Sequence, residues 1–279
     1  MSRATLCDTT LRDGGQAPGY AFSLATRVRL AGILDAAGVT QIEAGVPVAG
    51  KNEVETIRAV RDACARARIS GWNRARPEDV RASLACGVDI VHICLPVAPV
   101  QMSTKLGLSP DAAVRRYLDC VRMALDGGAV VVAGLEDVSR AEPAFMVSLA
   151  ERLREEGVMR VRLSDTVGVL TPARTQALVR RMAALGLEVE IHAHDDLGMA
   201  LANSLCAVLA GATVVDTTLG GIGERAGNCP MGAFVHVASL AGLETDVTWE
   251  RAAQAESEAS PMLRRDEAGA ERWSMPWTP

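Results

Sequence analysis

The chain reads as an α/β protein, a (β/α)8 TIM barrel with a short C-terminal helical tail. Short β-branched runs alternate eight times with longer amphipathic segments over ~240 residues, the count and length of that architecture. Gly38, Gly87, Gly127, Gly157, Gly186 and Gly211 recur a few residues ahead of the next strand, where a helix would end on a left-handed residue. The competing arrangement is a doubly wound open sheet. It would carry a glycine fingerprint such as GxGxxG at its first turn, and none is present.

In chain order, strands are expected over residues 4–7, 40–44, 69–72, 90–95, 130–135, 160–163, 188–192 and 214–217. Helices are expected over 23–37, 52–66, 77–86, 110–126, 143–156, 172–185, 198–210 and 231–241. Pro77, Pro110, Pro143 and Pro172 lie near first turns, where a missing N–H leaves nothing unpaired, and Ser109 is placed to cap. After about residue 242 the alternation stops. One more helix is expected over 249–259, ahead of a tail ending "RWSMPWTP". The division is a barrel over 1–245 and a helical or irregular tail over 246–279, too short for a second core.

Aromatic residues make up only 3% of the chain, so its core is aliphatic. A net charge of −5 without a basic stripe argues against nucleic acid as a partner. No apolar run reaches membrane-spanning length, and no signal-peptide pattern opens the chain. The seven cysteines are scattered without a CxxC, as expected for reduced thiols in the cytoplasm.

Chemistry in such a barrel belongs where strands end, and polar residues collect there. Arg12, Asp13 and Gln16 follow the first strand, within "CDTTLRDGGQAPG". Glu43 ends the second, and Asn73 and Arg74 follow the third. Glu136 and Asp137 follow the fifth; Ser164, Asp165 and Thr166 follow the sixth. "HAHDD" closes the seventh, and Glu224, Arg225 and Asn228 follow the eighth. Loops at the opposite end are short.

Within "HAHDD", His192 and His194 share one side of a strand by its period of two, facing the barrel interior. Two converging imidazoles favour a divalent metal; a hydrogen-bonded histidine pair is the alternative. Asp13 on the neighbouring strand can add an anionic oxygen and Asn228 a neutral one. Nitrogen plus oxygen ligands with open positions suit Mg²⁺ or Mn²⁺, with Zn²⁺ and Co²⁺ as alternatives. His92, inside a strand, and His236, on a helix, are expected to be packing residues. Arg12 cannot be neutralised, and its donor fork can hold an oxygen on which negative charge develops. Gly14 and Gly15 are expected to allow a tight turn and close approach to a ligand.

"DTTLRDGGQAPG", "IEAGVP", "LEDVSRAE", "SDTVGVLTP", "HAHDDLGMALANSLCAVLAGAT" and "GGIGERAGN" together resemble the metal-dependent condensing barrels that include isopropylmalate and homocitrate synthases. "HAHDDLG" and "LPVAPVQMSTKLG" resemble the nitrogen-fixation homocitrate synthases within that family. The resemblance runs from residue 5 to about 245, one motif per strand end. It implies an acyltransferase that joins the acetyl group of acetyl-CoA to the keto carbon of a 2-oxo dicarboxylic acid, with 2-oxoglutarate the expected substrate and homocitrate the product. It implies Asp13, His192, His194 and Asn228 as metal ligands and Arg12 at the forming alkoxide. Gln16 and Thr166 would position substrate, and Glu136 would help take the acetyl proton. The expected assembly is a homodimer.

The chain departs from that pattern in two places. Gly15 stands where many relatives carry Glu, which loosens the substrate assignment. Relatives also continue past the barrel into a helical region whose histidine completes the site, and no histidine follows His236 here. The barrel is therefore expected to bind metal and oxo acid but to be a poor synthase by itself, completed by a separate chain. A lyase or aldolase on the same metal site and a non-catalytic metal-binding barrel are the competing readings.

Overall fold

The computed structural model describes residues 3–263. The expected tail beyond 263, including "RWSMPWTP", lies outside the described residues. Eight parallel strands close on themselves in the order β2-β3-β4-β5-β6-β7-β8-β1, with β1 pairing β2 as well as β8. They run as β1 (Arg3–Asp8), β2 (Gln41–Gly45), β3 (Arg68–Arg74), β4 (Ile90–Pro96), β5 (Val130–Glu136), β6 (Arg160–Asp165), β7 (Glu188–Ala193) and β8 (Val214–Thr217). Several extend one to three residues beyond the expected ends, and the added residues include the polar groups Asp8, Glu136 and Asp165.

The helices are α1 (Leu24–Ala37), α2 (Lys51–Ala63), α3 (Pro77–Cys86), a one-turn α4 (Pro99–Gln101), α5 (Pro110–Asp126), α6 (Pro143–Glu155), α7 (Pro172–Ala183), α8 (Ala200–Leu209), α9 (Met231–Leu240) and α10 (Trp249–Ala259). All four expected prolines stand at the first helical position, and the Ser109 hydroxyl accepts from the Ala112 N–H at 3.3 Å. Five of the six marker glycines take left-handed backbone. Gly127 does not: Gly128 turns left-handed in its place, and a Cβ on Gly127 would stand 2.8 Å from the Leu84 side chain. A π-helix (Met102–Leu106) follows α4. Among the described residues no helix is long and apolar enough to cross a membrane, and all seven cysteines are free thiols.

Alternation divides the strand residues cleanly. Leu6, Ile42, Ile69, Val91, Ile93, Val161, Val189, Ile191 and Val215 are buried in the aliphatic layer shared with the helices. Their neighbours Glu43, Ser70, His92, Arg162, Glu190, His192 and Asp216 are equally buried and lie on the other strand face, inside the barrel. The barrel is thus filled largely by polar groups.

A further strand, β9 (Glu244–Thr245), was not foreseen. It pairs with the start of β1, and Asp246 beside it accepts from the Leu6 N–H through both carboxylate oxygens, each at 3.1 Å. Only two residues long, it carries no periodic signal. Helix α10, at the bounds expected, packs on α1 and α9 through Ala252, Ala255 and Ala259. Most of the expected tail's described part is therefore built into the barrel's outer layer.

Candidate metal centre

The turn after β1 begins at Thr9, whose carbonyl accepts N–H bonds from Arg12, Asp13 and Gly14 at 3.2, 2.8 and 3.1 Å. This winds the backbone so that Arg12 and Asp13 face the C-terminal mouth. Neither Gly14 nor Gly15 has left-handed backbone. A Cβ on Gly14 would meet the Ile222 side chain at 2.8 Å. The first glycine thus admits the loop after β8.

Asp13, His192 and His194 are all buried, and one donor atom from each lies within 4.8 Å of the others. The two Nε2 atoms are 3.4 Å apart, and His194 Nε2 stands 3.5 Å from Asp13 Oδ2. Asn228 Nδ2 donates to that same Asp13 oxygen, while Asn228 Oδ1 is buried without a partner among the described residues. Each imidazole is oriented from behind. His194 Nδ1 donates to the Thr166 carbonyl at 3.1 Å. His192 Nδ1 lies 2.9 Å from Asp216 Oδ2 and 3.0 Å from Arg162 Nη2. With Nδ1–H given to Asp216 and to Thr166, the two Nε2 atoms are left facing one another at the mouth, that of His194 beside Asp13.

The electrostatics agree. Burial works against charge on Asp13, yet Arg12 and the two histidines hold its carboxyl well below the usual range. Burial and the nearby Arg162 keep His192 neutral, with its pKa well below the usual value. Burial also opposes charge on His194, but the Asp13 hydrogen bond and charge raise it. An anionic oxygen, two imidazole nitrogens and an orphaned amide oxygen are a donor set that fits a divalent cation with positions left for substrate.

Arg12 bridges two carboxylates, Nε to Glu43 Oε2 at 2.5 Å and Nη1 to Asp13 Oδ1 at 2.9 Å. Gln16 ends the one-turn helix Gly14–Gln16 and is half-buried beside them. Thr166 serves through its carbonyl; its hydroxyl accepts from the Asp137 N–H at 2.9 Å. Glu136 ends β5, across the barrel from β1, where Lys105 Nζ donates to its Oε1 at 2.6 Å.

His92 is no packing residue. Its Nδ1 lies 2.6 Å from Glu43 Oε1, and Arg162 Nη1 approaches both, at 2.7 Å each. Arg162 is the hub beneath the site, reaching Asp216 through Nη2 and lying 3.5 Å from Glu190. Arg162, Glu190 and Asp216 carry no strand-end signature. Following the alternation through "RVRLSD" and "EVEIHA" would have put Arg162 and Glu190 on the His192 face. His236, on α9, stacks on Trp249 with ring centroids 4.5 Å apart.

The HMGL-like family model matches residues 3–258. The chain belongs to the HMGL-like family. Among its relatives, a homocitrate synthase of Frankia alni is 48% identical over 226 residues, covering 81% of this chain and 64% of that protein. The chain thus spans a little under two thirds of that relative's length. A homocitrate synthase subunit alpha of Clostridium pasteurianum is 41% identical, covering 83% of this chain and 87% of that one. The HMG-CoA lyase structure from Brucella melitensis superposes with a TM-score of 0.81 at 21% identity, covering 95% of this chain and 100% of the other. Its likeness establishes the barrel fold.

Proposed function

We propose that this HMGL-like barrel condenses the acetyl group of acetyl-CoA with a 2-oxo dicarboxylic acid, 2-oxoglutarate giving homocitrate. The observation that carries the reading is the convergence of Asp13, His192, His194 and Asn228 at the barrel mouth, in a chain 48% identical to a homocitrate synthase. These four residues would hold Mg²⁺ or Mn²⁺, with Zn²⁺ or Co²⁺ as alternatives. When bound, such a cation polarises a keto carbonyl and chelates the adjacent carboxylate of a 2-oxo acid.

Glu136 takes a proton from the acetyl methyl group, keeping Oε2 for that task while Lys105 occupies Oε1. The electron pair left on that carbon forms the new bond to the keto carbon, and the carbonyl π pair moves onto the keto oxygen. Arg12 stands against Asp13 and donates to that oxygen as its charge develops, before a proton neutralises it. Water then splits the thioester, leaving a carboxylate on the product and releasing CoA as the thiol. Gln16 and Thr166 border the same mouth and position the substrate.

The assembly we propose is a cytoplasmic homodimer, accompanied by a second chain. The 87% coverage of a relative named as a subunit alpha supports a partner chain. The test is thiol release from acetyl-CoA by the protein isolated from its native host with any chain that accompanies it. A panel of 2-oxo acids is offered with Mg²⁺ or Mn²⁺. Release that depends on 2-oxoglutarate and stops with a chelator is expected. Cleavage of a hydroxy-diacid with no thiol release from any 2-oxo acid would replace this reading with a lyase.

A further inference from the structure

Three loops leaving adjacent strands meet just outside the ligand cluster, and one side chain joins them. Arg225 sits in the glycine-rich loop after β8 in the left-handed region, at φ 54°, a conformation that non-glycine residues rarely hold uncompensated. Its guanidinium makes two bonds to Asp196 in the loop after β7, Nε to Oδ1 at 2.7 Å and Nη2 to Oδ2 at 2.8 Å. Nη2 also donates to the Thr166 carbonyl after β6, at 2.8 Å. Gly168 makes room for this arrangement, because a Cβ there would stand 2.2 Å from Asp196 Oδ2.

The Thr166 carbonyl is the same acceptor that receives His194 Nδ1–H. A carbonyl held by a guanidinium keeps its direction, and so does the imidazole bonded to it. Arg225 also anchors the loop that delivers Asn228. That loop is closed by bonds from the Gly227 N–H to the Glu224 carbonyl at 2.9 Å and from the Asn228 N–H to the Gly221 carbonyl at 3.0 Å. The Arg225 side chain is 41% exposed, and an exposed pair of this kind adds little to folding stability. Its value must lie in what it aims.

We propose that Arg225, clasped to Asp196, is a positioning residue for the metal centre. It fixes the Thr166 carbonyl that sets the His194 tautomer, and it holds the loop that presents Asn228. The proposal rests on the reading of Asp13, His192, His194 and Asn228 as the metal-binding set.

The experiment compares Arg225→Ala, Arg225→Lys and the parent by Mn²⁺ affinity and by ¹⁵N spectra of the metal-free His194 ring. Arg225→Ala should stay folded by circular dichroism and lose ~10- to 100-fold in Mn²⁺ affinity, the usual effect of removing a group behind a ligand. Its His194 should change from a single Nδ1–H tautomer to a mixture. Lysine should restore only part, since one ammonium lacks the fork that serves Asp196 and Thr166 together. An Arg225→Ala protein that binds Mn²⁺ as tightly as the parent and keeps the parent's His194 spectrum would overturn the proposal. His192→Ala separates the two ideas. If that variant binds Mn²⁺ like the parent, the metal assignment fails, while the tautomer spectra still judge the clasp.

Discussion

Arg12 holds Glu43 with one nitrogen and Asp13 with another, so it orders the Asp13 carboxylate while keeping its own charge at the mouth. Lysine has one nitrogen for both jobs. Arg12→Lys should therefore lose a hundredfold or more in kcat/KM, the ~3 kcal/mol typical of one oxyanion donor; a variant within threefold of the parent would remove Arg12 from the chemistry. At this scale the sequence was most legible where chemistry and spacing coincide. "HAH" can be read as one cluster because a strand repeats every two residues, and Asp13 and Asn228 stand at neighbouring strand ends. Alternation gives the face on which Arg162 lies, but its partners Glu43, Glu190 and Asp216 come from other strands and no local spacing pairs them with it. His92 was misread for a related reason: its partners Glu43 and Arg162 lie 49 and 70 residues away in the chain.

The elements contain two glycines with opposite physical meaning. Gly32 lies within α1 with nothing within 4 Å of where a Cβ would stand. Gly32→Ala should stabilise the protein by ~0.5–1 kcal/mol through helix propensity alone. Gly134 lies in β5, where a Cβ would stand 2.5 Å from His92 Nε2 and 2.6 Å from Cys94 Sγ. Gly134→Ala should cost ~1–3 kcal/mol by overpacking a filled barrel. Denaturant midpoints check both, and equal shifts of the same sign would refute this account of the packing. Helix and strand positions were legible from periodicity and from proline and glycine punctuation. Gly127 and Gly128 show the limit. Both fit a helix end; Gly128 is the one that turns left-handed, while a Cβ on Gly127 would stand 2.8 Å from Leu84 of α3.

Across the whole molecule, buried carboxylates make stability depend on pH. Asp8 ends β1 fully buried, with Oδ1 accepting from the Thr10 N–H and Oδ2 unpartnered among the described residues. Burial is the main cause pushing its pKa up to about 7, against ~3.9 in an unfolded chain. Between those values the folded state keeps a proton that the unfolded state has lost, so this group's contribution to stability falls as pH rises through that window. Asp8→Asn removes the titration. Its stability relative to the parent should rise with pH at up to ~1.4 kcal/mol per unit between about 4 and 7, measured by urea unfolding across that range. A difference that stays flat would contradict the assigned shift. The closed barrel was readable from eight repeats, but its polar interior was not, since each buried charge is matched only by residues from other strands. Whether the barrel mouth holds an oxo acid through a cation is read by calorimetric titration of 2-oxoglutarate into the protein with and without Mn²⁺, beside His194→Ala. The parent should bind only when Mn²⁺ is present, and His194→Ala under neither condition; equal binding by the parent without metal, or by the variant with it, would rule out a metal-held oxo acid at this site.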